Sequence, residues 1–237
     1  MTTLTTQTTV GEFVAQAPGL SRIFEQHGID FCCGGKRPLA DVCREKGLDA
    51  TALLQTLTAY RPAMTDAASL ANASLTEICD HIEATHHAYV QREMPRLAQM
   101  AAKVAQAHGQ NHPEVLQVSQ IFAAVAAELQ SHMLKEERIL FPAIRAMEAG
   151  DADAAAHCGT VANPIRVMES EHQNAGDALE QLRRLTHGYT PPADACNTFR
   201  AFLDGLREFE QDLHEHVHKE NNMLFPRAIA LETSLRA

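Results

Sequence analysis

The sequence contains no tryptophan, and aromatic residues make up only 5% of its 237 residues. It has no run of the roughly 18 apolar residues that a membrane-spanning helix needs. Its first residues, MTTLTTQTTV, lack the basic and apolar stretches of a secretory signal. Lysine and arginine number 20 against 30 aspartates and glutamates, with no local basic cluster, so a phosphate backbone would be repelled. We therefore expect a cytoplasmic protein that neither crosses a membrane nor binds nucleic acid.

Cysteine is also sparse. The six cysteines are scattered, and only Cys32 and Cys33 are adjacent. This spacing is not that of a disulfide framework and is typical of a reducing compartment. Alanine and leucine, in contrast, dominate long stretches and favour helix. We expect an all-α fold.

Prolines, glycines and helix-capping residues divide the chain into segments. They predict a small helical domain at residues 1–60 with the loop DFCCGGKRP, a linker at 61–73, and a larger domain at 74–237. The larger domain opens at Ser74, where Glu77 completes a capping box. Its four long helices are expected over residues 74–109, 113–147, 164–188 and 194–232. Four such helices with modest loops predict an antiparallel four-helix bundle.

A duplicated segment carries most of the information in the bundle. The eleven residues HMLKEERILFP that begin at His132 return as HVHKENNMLFP from His216, 84 residues later, with six of the eleven identical. Positions four apart lie about 40° apart around a helix, so His132 and Glu136 share a face, as do His216 and Glu220. In both copies that face is also the apolar one. A buried ion is costly unless it is paired or binds a metal, and the duplication favours a metal pair between the copies.

The repeat also predicts matching groups on the first and third long helices. On the third helix, His172 lies in a continuous apolar stripe. On the first helix there are two candidates, His86 and His87. Apolar periodicity slightly favours His86, whereas the repeat length favours His87. The residues alone leave both open.

The donor set indicates the kind of metal. One histidine–glutamate pair at this spacing is usually a surface ion pair, but two copies on apolar stripes, joined by His172, favour a metal site. Four imidazoles and two carboxylates suit iron or manganese better than zinc, whose structural sites usually use thiolates. With both glutamates and an oxo or hydroxo group bridging two six-coordinate ions, one position per metal would stay open. The residues favour two ions of iron or manganese, carboxylate-bridged and oxo- or hydroxo-bridged, with zinc ranked below them.

Other polar residues near this motif are expected to lie outside the site. Glu137 and Glu171 adjoin proposed ligands in the sequence but should face elsewhere, although a supporting or metal-release role stays open for Glu171. Five further histidines are expected at the surface: His81, His157, His187, His214 and His218.

The loop DFCCGGKRP places two thiols, Cys32 and Cys33, beside Lys36 and Arg37. Nearby positive charge and a following helix N-terminus lower the pKa of a thiol and favour the thiolate. Adjacent cysteines rarely form a disulfide because the ring is strained. Both thiols are therefore candidates for a redox, metal-handling or docking role, and the alternative is a buried structural turn with inert thiols.

Five segments together resemble the Repair of Iron Centres family of di-iron proteins, over nearly the whole chain: DFCCGGKRPLA, DHIEATHH, SHMLKEERILFP, VMESEH and EHVHKENNMLFPRA. The resemblance implies a hemerythrin-like bundle behind a small N-terminal domain. It favours His87 over His86, because the ligand of that family follows the aspartate of the DHI motif, here Asp80, by seven residues. It also implies that Cys32 and Cys33 matter. It implies two iron ions, with manganese ranked below iron. The iron ligands that it implies are His87, His132, Glu136, His172, His216 and Glu220.

The same resemblance implies a function. Members help to restore iron–sulfur clusters damaged by nitric oxide or oxidative stress, so damaged iron–sulfur proteins are the expected partners and iron supply the expected action. The alternative is nitric oxide binding, scavenging or reduction at the di-iron site, with dioxygen as another small ligand. An oxygen carrier is less favoured, because hemerythrins proper use five histidines. Whether the protein is an enzyme, and whether it forms a homodimer, stays open.

Overall fold

The computed structural model describes residues 4–60, 70 and 72–237. Over these residues the regular secondary structure is helical, apart from an isolated antiparallel bridge between Thr9 and Pro38. The all-α prediction is therefore confirmed. In chain order the α-helices are α1 (Val10–Gln16), α2 (Ser21–Gln26), α3 (Leu39–Lys46), α4 (Ala50–Ala59), α5 (Leu75–Ile82), α6 (Ala88–His108), α7 (Glu114–Lys135), α8 (Phe141–Glu148), α9 (Ala162–Leu185), α10 (Asn197–Lys219) and α11 (Phe225–Leu235).

Tertiary contacts divide the chain into two compact units. The first comprises the described residues of 1–80, 144–156 and 214–237, and the second comprises residues 81–143 and 157–213. The predicted domain boundaries at residues 60 and 74 stay a prediction. Most of the expected linker, 61–73, lies outside the described residues.

Capping residues set the helix ends in the first unit. Thr9 and Glu12 form a reciprocal capping box at the start of α1. The side chain of Asp49 accepts hydrogen bonds from the first turn of α4. The predicted capping box of α5 is present, with Ser74 N 2.7 Å from Glu77 Oε2 and Glu77 N 3.1 Å from Ser74 Oγ. The expected start of the first long helix is thus confirmed.

The second unit is a bundle of four long helices: α6, α7, α9 and residues 197–213 of α10. This confirms the predicted four-helix bundle. Phe122 of α7 and Phe209 of α10 meet edge to face in its core, with ring centroids 5.6 Å apart. A Cβ at Gly205 would lie 2.5 Å from Leu97 Cδ2, so glycine at this position lets α10 approach the Leu97 side chain of α6 closely. No helix among the described residues is long and apolar enough to span a bilayer.

Three π turns interrupt the long helices, at Glu83–His87, Glu136–Leu140 and Glu220–Leu224. Each is continuous with the α-helices on both sides. In the second and third, Pro142 and Pro226 follow two residues after the turn. Because proline lacks an N–H, the regular i to i−4 bonding must break there, as the sequence predicts. Such turns are frequent at functional sites.

Candidate metal centre

Three proposed ligands meet inside the second unit. His132 and Glu136 lie on the last turn of α7 and at the start of the second π turn, and His172 lies on α9. All three are buried. His132 Nε2 lies 3.2 Å from Glu136 Oε1 and 3.0 Å from His172 Nε2. One ligand atom from each side chain falls within 4.8 Å of the others, close enough for a single ion to bind all three.

A fourth proposed ligand of the second unit, His87, approaches the other oxygen of Glu136. His87 Nε2 lies 3.4 Å from Glu136 Oε2, and the His87 side chain is 1% exposed. Glu136 therefore presents Oε1 to His132 and Oε2 to His87. Each oxygen of this buried carboxylate therefore lies beside an imidazole nitrogen, which is a donor set that suits a bound cation.

His86, the alternative on the first long helix, points elsewhere. Its Nδ1 lies 2.9 Å from Asp212 Oδ1, also in the second unit. Both histidines are buried, so burial alone does not separate them. The structure brings His87, and not His86, beside Glu136.

Two further glutamates orient the histidines. Glu171 Oε2 lies 2.8 Å from His132 Nδ1, and Glu137 Oε1 lies 2.8 Å from His87 Nδ1. A carboxylate that accepts from Nδ1–H fixes the tautomer in which the Nε2 lone pair is available to a metal. The expectation that Glu137 and Glu171 face away from the ligands is therefore wrong. Adjacent helix positions lie about 100° apart, but glutamate is long enough to reach around the helix to the next imidazole.

Glu171 also contacts the ammonium group of Lys135. Partial burial disfavours the charged form of Glu171, but hydrogen bonds from Lys135 and His132 outweigh it and hold the pKa of the carboxyl below its usual value. The carboxylate that orients His132 is thus kept ionised.

The remaining predicted pair lies in the first unit. His216 Nε2 is 3.1 Å from Glu220 Oε1, and both side chains are buried. Glu220 begins the third π turn just as Glu136 begins the second. The sequence repeat is therefore also a repeat of backbone geometry.

Two other expectations for the first unit need correction. His218 is buried, not at the surface, with its ring 5.7 Å from the Phe31 ring, and burial lowers its pKa to about 4. The pKa of the Cys32 thiol is raised, not lowered: the hydrogen bond with Cys33 contributes most, followed by burial and the nearby Asp30. Arg37 was expected to favour the Cys32 thiolate. Its Nη2 atom instead lies 2.5 Å from Glu45 Oε2.

The fold and this donor set define a hemerythrin-like bundle protein. The model of the hemerythrin HHE cation binding domain matches residues 79–228, and a domain of unknown function, DUF542 (ScdA_N), matches residues 6–61. Imidazole nitrogens and carboxylate oxygens without thiolates are ligands that suit first-row transition metals, so the residues present fit a bound cation.

Curated relatives match over nearly the whole chain. Iron-sulfur cluster repair protein YtfE of Pectobacterium carotovorum is 39% identical over 220 residues, covering 93% of this chain and 96% of the relative. The proteins of the same name from Citrobacter koseri and Yersinia pseudotuberculosis are 38% and 37% identical, over 94% and 93% of this chain and 97% and 96% of the relatives. The chain belongs to the Repair of Iron Centres family, as its sequence motifs predict.

Proposed function

We propose that the protein repairs iron–sulfur clusters damaged by nitric oxide or oxidative stress, by supplying iron from a two-iron centre. The observation that carries this proposal is Glu136, buried between His132 and His87 with one oxygen toward each. Family membership and the printed names of the relatives support the choice of iron and of damaged iron–sulfur proteins as partners. The free thiols fit a reducing cytoplasm as the place of action.

The repeat assigns ligands to each ion. One copy of the repeat comprises the first and second long helices, and the other copy comprises the third and fourth. His132, on the second long helix, lies beside His172, on the third. The equivalent pair under the repeat is His216 with His87. Glu136 would bridge the two ions, and Glu220, its counterpart, would form the second bridge. The full proposed set is His87, His132, Glu136, His172, His216 and Glu220.

The surrounding residues have separate tasks. Glu171 and Glu137 hold His132 and His87 with Nε2 turned inward, and the buried setting of all four histidines excludes bulk water. When bound, iron supplies redox chemistry and an exchangeable ion. The two proposed ions share only six protein side chains. Because each ion would have few protein donors, the site favours release of its metal.

The donor count also supports a second candidate, nitric oxide binding or reduction. Four histidines and two glutamates would hold two ions with coordination positions left for small ligands. Anaerobic addition of nitric oxide to the reduced protein, followed by headspace analysis for nitrous oxide, tests it. Sub-stoichiometric nitrous oxide would reduce this candidate to binding alone.

Iron supply is tested with a nitric-oxide-damaged iron–sulfur enzyme. Iron-loaded protein is mixed with the damaged enzyme, with and without a ferrous chelator, and compared with free ferrous ions. We expect reactivation that resists the chelator, because iron passes directly between proteins. Reactivation no greater than that from free ferrous ions would contradict the proposal. His132→Ala, which removes a proposed ligand, should lose the effect.

A further inference from the structure

The CCGG loop of the first unit contains a second cluster of metal-ligating atoms. We propose that Asp30, Cys32 and Cys33 form a distinct, exchangeable site for one thiophilic divalent ion such as Fe²⁺ or Zn²⁺. As a binding site it stands independently of the proposed function. Its use as a transient binding site for iron during transfer to a client protein rests on that function.

The spacing of the three side chains fits one ion. The Sγ atoms of Cys32 and Cys33 are 4.0 Å apart, and Cys32 Sγ lies 3.1 Å from Asp30 Oδ1. Ligand atoms from all three residues lie within 4.8 Å of one another. Two thiolates at about 2.3 Å from a tetrahedral ion are about 3.8 Å apart. The observed sulfur separation therefore needs only a small adjustment to bind metal.

Backbone hydrogen bonds hold the loop in this shape. Asp30 Oδ1 accepts from the N–H groups of Cys32 and Cys33 at 2.9 and 3.0 Å, and Oδ2 accepts from Gly34 N–H at 2.8 Å. Asn222 Nδ2 donates to the carbonyl oxygen of Cys32 at 3.1 Å. The two thiols are thus positioned by a preformed loop, which lowers the entropy cost of binding.

The two glycines are required by close backbone approach. A Cβ at Gly35 would lie 2.5 Å from the carbonyl oxygen of Phe31, and one at Gly34 would lie 3.1 Å from that of Asp30. A larger residue at 35 would push the loop open, and one at 34 would require Asp30 to shift by a few tenths of an ångström. The sequence CCGG therefore combines two ligands with the two residues that allow the loop to fold back on Asp30.

Asp30 keeps the capacity to bind a metal while it organises the loop. Each carboxylate oxygen has two lone-pair sites. Oδ1 accepts two N–H groups and the Cys32 thiol, whereas Oδ2 accepts one N–H group, so Oδ2 retains a lone-pair site. When the ion binds, two metal–sulfur bonds replace two S–H bonds and two protons leave to solvent. The hydrogen bond from the Cys32 thiol to Oδ1 is then lost, and the three backbone N–H hydrogen bonds to Asp30 can persist.

The chemistry and exposure indicate an exchangeable site. Thiolates favour zinc, iron and copper(I) over magnesium or calcium. Three protein ligands leave a fourth position open, unlike structural zinc sites, which are closed by four. Cys32 is buried, Cys33 is half-buried and Asp30 is exposed, so the site opens to solvent on one side. A partner ligand could enter at the open position and remove the ion.

Cobalt(II) titration of the full chain tests the site. The His and Glu centre is first loaded with iron anaerobically, and Co²⁺ is then added while the near-ultraviolet thiolate-to-cobalt charge-transfer band is recorded. The His and Glu centre contains no sulfur and cannot give this band, so the readout is independent of it. We expect one equivalent of Co²⁺ per chain, displaced by Zn²⁺.

Matched thiol variants locate the signal. Cys33→Ser and Cys32→Ser should abolish the band, and Cys196→Ser, which changes an exposed thiol elsewhere, should leave it unchanged. Because Cys33 is only half-buried, its substitution should disturb the fold less than that of Cys32. If Cys32→Ser alters the circular dichroism spectrum, the result for Cys33→Ser alone is used. No band, or a band that survives Cys33→Ser, would overturn the proposal and leave the loop as a structural turn. If the protein gives the expected charge-transfer band but does not donate iron, the proposed function is rejected and the metal site in the loop is still supported.

Discussion

Glu171 Oε2 lies 2.8 Å from Nδ1 of His132, although the two residues are on different helices of the bundle. The same carboxylate contacts Lys135. Glu171 therefore links α9 to the last turn of α7 and orients an imidazole whose Nε2 faces Glu136. The equivalent contact joins Glu137 to His87. Both carboxylates contact an imidazole through its Nδ1 atom, on the side away from Glu136.

Removing this support should weaken the centre without emptying it. We expect Glu171→Gln to lower iron affinity by about 10- to 100-fold, because the tautomer and orientation of His132 are no longer fixed by a carboxylate. Affinity is measured by competition with a chromophoric chelator. Glu180→Gln, on the exposed side of the same helix, is the control and should match the unchanged protein. Equal affinity for both variants would contradict the assigned role of Glu171.

The two adjacent histidines of the first long helix should behave differently. His87→Ala is expected to lower bound iron from two ions per chain toward one, because His87 faces Glu136. His86→Ala should retain two ions, although loss of its contact with Asp212 should lower the thermal midpoint. Elemental analysis of both variants, purified side by side, measures the number of iron ions bound per chain. Iron loss in His86→Ala with retention in His87→Ala would reverse the assignment.

Glu148 should stabilise the start of α5 in a pH-dependent manner. Its carboxylate accepts from Leu75 N and Thr76 N at 2.7 and 2.8 Å. Burial opposes ionisation, but these hydrogen bonds hold the pKa of Glu148 below its usual value. The unfolded state therefore takes up its proton first, so the stabilisation is complete above the unfolded pKa of about 4.3 and is lost as the pH falls through the lower native pKa.

Glu148→Gln should therefore reduce the free energy of unfolding by about 1 kcal/mol at neutral pH, after allowance for solvent screening. The difference from the unchanged protein should shrink below about pH 4. Urea titrations across this range check both points. A difference that grows in acid would contradict the predicted direction.

The bundle core should depend on Phe122. Phe122→Ala removes a fully buried ring that meets Phe209 and should cost about 3–5 kcal/mol in the free energy of unfolding. Leu134→Ala on the same helix removes a side chain that is 44% exposed and should cost much less. Denaturant unfolding of the apo-proteins measures both, so that metal binding does not contribute. Similar losses for the two variants would argue against this packing.

The bundle and most of the candidate site could be predicted from the sequence, because two copies of one pattern constrain each other. His132, Glu136 and His172 lie on apolar stripes with regular α-helical spacing, and the structure brings them together. Apolar periodicity alone slightly favours His86, whereas the structure brings His87 beside Glu136, and the difference has a physical reason. Both residues lie in the first π turn, where bonding from i to i+5 takes more residues per turn. A 3.6-residue period therefore assigns the wrong face there.

Two other errors concern side-chain contacts that the sequence pattern does not report. Cys32 was expected to be a thiolate because Lys36 and Arg37 are near in sequence, but Arg37 turns to Glu45 and the thiol is buried beside Asp30. His218 was expected at the surface because it follows His216 closely. It is buried because Phe31, 187 residues earlier, packs against it. No local pattern reports the contact between Phe31 and His218.

Iron K-edge X-ray absorption of the anaerobically loaded full chain tests the central claim most directly. The account predicts a first shell of nitrogen and oxygen, together with a second-shell iron scatterer from the neighbouring ion. A spectrum with nitrogen and oxygen but no iron scatterer, or one dominated by sulfur, would contradict a two-iron centre built on Glu136.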